Sequence, residues 1–224
     1  MAHGRELVVL PDADAVARRG AAVIAAAARA ATSERGTFSL AVSGGRAPLA
    51  MFARLAGEDV PWDRTSIWQV DERVAPDDDP DRNLTGLLLA LPPAARPAVH
   101  AMPVTEADLD LAAAAYAADL PEAFDLVHLG LGADGHTASL VPGDPAPDVT
   151  DRDVVLTGEY RGRRRMTLTF PVLDRARFVL WVLTGAEKAE VVPALLAADP
   201  SIPAGRVRAE RQLVLVDEAA AART

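Results

Sequence analysis

The residues best suited to chemistry lie in one segment, Asp125-Leu-Val-His128-Leu-Gly130-Leu-Gly132-Ala-Asp134-Gly135-His136-Thr137-Ala138-Ser139-Leu140, where a carboxylate and an imidazole stand two positions apart. A neutral imidazole with an ordinary pKa near ~6.5 can take a proton from water at neutral pH, and a nearby carboxylate orients the ring and stabilises its charged form. His136 is therefore the candidate general base, and Asp134 its orienting partner. The spacing Gly130-x-Gly132-x-x-Gly135 also matches a dinucleotide-binding fingerprint. It lies deep in the chain instead of opening a first βαβ unit, however, and neither Asp134 nor His136 helps to bind a pyrophosphate. A strained glycine-rich turn that presents these two side chains is the better reading. Of the other histidines, His3 is terminal, His100 sits near a strand start and His128 lies inside an apolar run, so all three are read as structural.

A second chemical segment is Ala41-Val42-Ser43-Gly44-Gly45-Arg46-Ala47-Pro48. Two glycines let a ligand approach the backbone, Pro48 suits a first helical turn, and exposed helix N–H groups with Ser43 and Arg46 form an anion cradle. A phosphate is the natural occupant, and a tight turn without a ligand is the plainer alternative. Ala-x-Ser-x-Gly also approximates a nucleophile elbow, but that chemistry needs a late histidine and none follows His136.

Asp71-Glu72-Arg73 ends an apolar run. Such charges are often only solvated; beside the other loops, Asp71 becomes a base or an acceptor for sugar hydroxyls, and Arg73 a group that polarises a carbonyl or holds a carboxylate. The run Arg161-Gly-Arg163-Arg164-Arg165 reads as a solvated loop entering a strand. Lys188 is the only lysine. Its place near an expected helix N-terminus works against the helix dipole, which points to an anionic ligand. No metal site is expected: Cys is absent, no His pair has helical spacing, and the Asp77, Asp79, Asp81 series has Arg82 where a calcium loop needs glycine.

These loops require strands and helices to position them. Apolar Val/Ile/Leu runs at 6–10, 37–42, 65–70, 99–104, 124–130, 153–157, 165–170, 177–183 and 212–216 alternate with helical stretches at 12–31, 48–56, 82–90, 106–119, 187–197 and, more briefly, 136–140. That alternation predicts an α/β fold, a doubly wound, mainly parallel sheet with helices on both faces. Ligands in such folds sit beyond the carboxyl ends of the strands, so the loops after 42, 70, 130 and 183 define the expected site.

The chain of 224 residues, 50% hydrophobic and 25% charged, is expected to form one domain over 1–224. Its net charge of −9 disfavours nucleic acid and anionic membranes as partners. Arg18-Arg19-Gly20 before an alanine-rich run superficially resembles a twin-arginine signal. Asp12 and Asp14 precede it and Arg29 cuts the run short, so 12–31 reads as an amphipathic helix and the chain as cytoplasmic.

Taken together, Ser43-Gly44-Gly45-Arg46-Ala47-Pro48, Asp71-Glu72-Arg73-Val74-Ala75-Pro76, Gly130-x-Gly-x-Asp134-Gly135-His136-Thr-Ala-Ser-Leu-x-Pro142-Gly143, Arg165-x-Thr-Leu-Thr169-x-Pro171 and Gly185-x-x-Lys188 resemble the glucosamine-6-phosphate isomerase/6-phosphogluconolactonase family over nearly the whole chain. The resemblance implies a Rossmann-like fold without a nucleotide cofactor. It also implies hydrolysis of 6-phospho-D-glucono-1,5-lactone to 6-phosphogluconate in the oxidative pentose phosphate pathway. On this pattern Ser43, Gly44, Gly45, Arg165 and Lys188 hold the 6-phosphate, while His136 with Asp134 activates water, Arg73 faces the oxyanion and Asp71 contacts the sugar hydroxyls or the water.

The isomerase branch carries a glutamate five positions after the loop histidine, where this chain has Val141, and a tyrosine where it has Arg73; both differences favour the lactonase branch. Arg46-Ala47 departs from the usual hydroxyl pair; Arg46 either replaces those contacts by charge or turns away from the ligand. Arg82-Asn83 stands where Ser-Asn is usual, which makes Asn83 a further candidate contact. The expected partner is a small sugar-phosphate lactone, and the expected state is a monomer with a weak homodimer as the alternative. An isomerase/deaminase and a non-catalytic sugar-phosphate binder are the competing functions.

Overall fold

The structure is a computed structural model that describes residues 4–224, with the backbone alone at Arg46, Pro97 and Ala98; His3 lies outside the described residues. Its strands are β1 (Arg5–Leu10), β2 (Phe38–Val42), β3 (Thr65–Gln69), β4 (Asp71–Arg73), β5 (Val99–His100), β6 (Leu126–Leu129), β7 (Val154–Leu156), β8 (Arg165–Leu168), β9 (Val179–Leu183) and β10 (Gln212–Asp217). The helices are α1 (Ala13–Arg35), α2 (Arg46–Arg54), α3 (Asn83–Ala90), α4 (Leu109–Asp119), α5 (Phe170–Asp174) and α6 (Val192–Leu196). Seven strands form a parallel sheet in the order β1-β10-β9-β6-β2-β3-β5.

Alternating side chains feed two cores. Phe38, Leu40, Val42, Leu180 and Val182 pack with Val16, Ile24 and Ala28 of α1 and Met51 and Phe52 of α2. Ala41, Val179, Trp181 and Leu183, one residue out of step, pack on the opposite face with Ala112 and Tyr116 of α4. This period-2 division of buried residues is what a sheet covered on both sides requires. Helix α1 begins at Asp12, whose side chain accepts the Ala15 N–H, and ends at Gly36 in the left-handed region, so it runs longer than the expected 12–31. Among the described residues no helix is long and apolar enough to cross a membrane.

The fold is the expected mainly parallel α/β arrangement, with four local corrections. The runs expected at 153–157 and 165–170 do not join the parallel sheet. They form β7 and β8 of a separate antiparallel sheet in the order β4-β8-β7, and β4 is the segment read as a charged loop. No helix forms at 136–140: Ala138 has φ +50, and Thr137 and Leu140 pair as a bridge across a tight turn. The strand expected at 99–104 stops at His100, because the Met102 N–H goes to the Gln69 side chain and Pro103 has no N–H to offer. Finally, 187–197 divides into a single turn at Ala186–Lys188 and α6, which starts with Pro193 in its first turn.

Candidate active site

The loops following β2, β6 and β9 converge with the edge of the small sheet around an open cavity of ≈ 390 Å³. Ser43, Gly44, Gly45, Asp71, Arg73, His136, Arg165 and Lys188 all line it. Eight of the ten expected site residues therefore meet in one place. Asp134 stands behind His136, and Arg46 opens α2 but its side chain lies outside what the structure describes. A second cleft of ≈ 510 Å³ shares Gly44, Gly45, Glu187 and Lys188 with the first and continues past Pro48 and Thr184.

His136 Nδ1 lies 2.5 Å from Asp134 Oδ1. Donation from Nδ1 to the carboxylate selects the tautomer in which Nε2 keeps its lone pair, as a base requires. The ring packs directly over Gly132, where an added Cβ would meet Nδ1 at 2.0 Å, so only glycine admits the imidazole in this position. Burial alone would raise the Asp134 carboxyl, but hydrogen bonds from His136 and Tyr160 carry it below the usual carboxylate range. It therefore remains an anion beside the imidazole.

The small sheet supplies a second set of groups. Arg73 on β4 and Arg165 on β8 are directly paired across the antiparallel ladder. Two like charges opposed in this way repel one another, and both Nε atoms are buried without a hydrogen-bond partner among the described residues. Asp71 lies close to both. Its Oδ2 accepts from Ser139 Oγ at 2.6 Å and its Oδ1 from Asn83 Nδ2 at 3.3 Å. Burial pushes the Asp71 carboxyl up, against the opposing effects of Ser139, Arg73 and Arg165. Burial likewise pushes the Arg165 guanidinium down.

Glu72, fully buried, holds this sheet to α3 by accepting from the Asn83 and Leu84 N–H groups at 2.7 and 2.8 Å, and it pairs with Arg82 Nε at 3.2 Å. That ion pair accounts for the departure at position 82. Among the described residues that line the cavity, Arg73, Arg161, Arg165 and Lys188 outnumber Asp71 and Glu187, so a chain of net charge −9 keeps a cationic concavity.

Other expectations change. Both Ser43 donors are used internally: its N–H reaches His128 Nδ1 at 3.3 Å and its Oγ donates to the His128 carbonyl at 3.2 Å. Among the described residues no imidazole accepts from Ser43 Oγ, so the serine-triad reading finds no support there. His128 is fully buried and pushed down to about 3 by desolvation, which makes it a neutral support for the loop. His100 stacks on Trp68 at 4.0 Å. Lys188 occupies a one-turn 3-10 segment, so the helix-dipole argument for it fails although its place in the cavity holds.

Sequence reasoning missed Ser139, Tyr160, Arg161 and Glu187. Ser139 adjoins the His136 motif, and Arg161 belongs to the basic run that was read as solvated; Tyr160 had no sequence signal. Among the described residues no group of three or more His, Asp or Glu is placed to hold a metal ion.

Comparison with known proteins identifies the family of the chain. The profile of a family described as glucosamine-6-phosphate isomerases/6-phosphogluconolactonase matches residues 11–216. A 6-phosphogluconolactonase from Streptomyces coelicolor is 34% identical over 250 residues, covering 99% of this chain and 95% of its own. One from Synechocystis sp. is 36% identical over 210 residues, covering 85% and 86%. The crystal structure of 6-phosphogluconolactonase from Thermotoga maritima superposes with a TM-score of 0.85 at 27% identity, covering 95% of this chain and 99% of that one.

Proposed function

Because the chain belongs to the glucosamine-6-phosphate isomerase/6-phosphogluconolactonase family, we propose that it hydrolyses 6-phospho-D-glucono-1,5-lactone to 6-phospho-D-gluconate, the lactonase step of the oxidative pentose phosphate pathway. The observation that carries the residue assignment is the Asp134–His136 pair, whose free ring nitrogen serves a cationic cavity. The lactonase branch is favoured over the isomerase branch by Val141, an apolar side chain buried in the fold where that branch carries a carboxylate.

In this mechanism the 6-phosphate is held by the Gly44 and Gly45 backbone, Arg46, Arg165, Lys188 and Ser43, whose hydroxyl swings from the His128 carbonyl to a phosphate oxygen. His136 Nε2 takes a proton from water as the water oxygen bonds to C1. Negative charge develops on the carbonyl oxygen and is stabilised by Arg73. As the tetrahedral intermediate collapses, the bond from C1 to the ring oxygen breaks and the imidazolium returns its proton to that oxygen. The products are a carboxylic acid, which ionises, and the freed C5 hydroxyl. Asp134 holds the imidazolium, and Asp71 accepts from a sugar hydroxyl or from the attacking water.

The same reading takes residues 1–224 as one domain that works in the cytoplasm as a monomer and uses neither a nucleotide nor a metal. The test is hydrolysis of freshly generated lactone coupled to 6-phosphogluconate dehydrogenase, with spontaneous hydrolysis subtracted and glucosamine-6-phosphate assayed in parallel for ammonia. Acceleration that disappears in His136→Ala supports both the reaction and its base. Ammonia release without acceleration transfers the site to the isomerase branch, and binding without turnover makes it a sugar-phosphate binder.

A further inference from the structure

Tyr160 lies outside every sequence motif, yet it touches both halves of the site. Its hydroxyl donates to Asp134 Oδ2 at 2.9 Å, while Asp134 Oδ1 takes His136 Nδ1 at 2.5 Å. The two carboxylate oxygens are thus each committed, and the carboxylate plane is held from both sides. The phenol ring meets the imidazole edge to face, with centroids 5.4 Å apart at 67°. The same ring carries the Arg165 guanidinium at 5.0 Å and that of Arg161 at 5.1 Å.

Local backbone structure fixes this placement. Tyr160 and Arg163 exchange backbone hydrogen bonds across a turn between β7 and β8, whose central residues Arg161 and Gly162 have φ +53 and +77. Two positive φ values characterise the hairpin turn that follows strand twist. Arginine in the left-handed region is strained, and such strain gathers at functional sites. It turns the Arg161 side chain toward the cavity that Arg165 already lines.

We propose that Tyr160 is a positioning residue with two separable duties: its hydroxyl fixes the Asp134 carboxylate, and so the His136 ring, while its face holds Arg161 and Arg165 in line with the substrate's anionic group. The proposal rests on the lactonase reading above. It follows that proton transfer depends on the hydroxyl and anion affinity on the ring. A group that only stabilised the loop would lower both together, along with the melting temperature.

The experiment compares Tyr160→Phe and Tyr160→Leu with wild type, measuring kcat and KM for the lactone, 6-phosphogluconate affinity by calorimetry, and the melting temperature. Tyr160→Phe keeps the ring and loses one hydrogen bond to a charged group. Its kcat is expected to fall about 10-fold, with KM and product affinity within about 2-fold of wild type. Tyr160→Leu is expected to show the same loss of kcat and, in addition, about 5-fold weaker KM and product affinity, because the cation platform is gone. Both variants should melt close to wild type.

Wild-type kcat in Tyr160→Phe overturns the proposal, as does a parallel loss of kcat, affinity and melting temperature in that variant. Unchanged affinity in Tyr160→Leu overturns the platform half. Wild-type protein that fails to accelerate lactone hydrolysis overturns the lactonase reading instead; calorimetry with inorganic phosphate on the two variants then still decides the platform half.

Discussion

The parallel sheet and the small antiparallel sheet contribute to the same cavity in opposite ways. From the parallel sheet come loops: Ser43–Gly45 after β2 and 130–136 after β6 place backbone amides and the His136–Asp134 pair beyond strand ends, with the Ser43 N–H, the Ser43 hydroxyl and His136 Nδ1 hydrogen-bonded within the chain. From the antiparallel sheet come side chains within the strands themselves. Asp71, Arg73 and Arg165 are held close together, and the Nε atoms of the two arginines are buried without hydrogen-bond partners among the described residues. The first region is built at little electrostatic cost and, in the proposed mechanism, carries the proton transfer. The second confines two guanidiniums and a carboxyl group away from water, a crowding of like charges that an anionic ligand would offset. The contrast shows which region should govern kcat alone and which should couple function to stability.

The largest effect expected lies in the first region. In the proposed mechanism His136→Ala removes the proton acceptor and leaves the proposed phosphate contacts in place, so kcat should fall by about 10²–10⁴-fold while KM stays within about 3-fold. Steady-state kinetics with spontaneous hydrolysis subtracted decide it; a large rise in KM would show that the two regions are not functionally separate.

Next come the paired arginines, which test division of labour inside the small sheet. Arg73→Lys should lose kcat by about 10²-fold as oxyanion stabilisation weakens, and Arg165→Lys should mainly raise KM by about 10-fold. Lysine keeps the charge in both cases but not the planar fork. If the two variants lose kcat and KM in the same proportions, the neighbouring guanidiniums act as one anion site and the separate roles fail.

The sequence revealed the first region more fully than the second, for a physical reason. Ser43, Gly44, Gly45, Asp134 and His136 follow runs whose burial on both faces makes them readable as parallel strands, and a ligand belongs at those strand ends. Strand β4 has only three residues, all charged, so Asp71 and Arg73 were visible as chemistry but not as a strand. Tyr160 was invisible because its partner Asp134 lies 26 positions away and no local pattern joins them. Lys188 lines the same cavity as the other candidates although the premise for it fails, since the helix invoked for it is a three-residue turn.

Gly44 lies where the two regions touch, and an added Cβ there would meet Asn83 Oδ1 at 2.0 Å. Gly44→Ala should push Asn83 away from Asp71 and lower the melting temperature by about 5 °C, the scale expected of an overpacked contact in a chain of this size. KM should rise with it. Wild-type kinetics at a lowered melting temperature would show that Asn83 supports the fold and not the carboxylate.

The smallest effect tests the cost assigned to the second region. Burial raises the Asp71 carboxyl, so the folded chain holds that proton more tightly than the unfolded chain does. A raised carboxyl of this kind lowers stability as pH climbs from the unfolded value through the folded one, and costs nothing below both. Asp71→Asn removes the charge, so at pH 7–8 the variant should melt about 2–4 °C above wild type, and the gap should close as pH falls toward ~4. Activity should fall in the same protein, because the carboxylate that faces Arg73 and Arg165 is gone. A variant less stable than wild type at every pH would mean that the ionised Asp71 is a net support for the small sheet, and that its charges are balanced without any ligand.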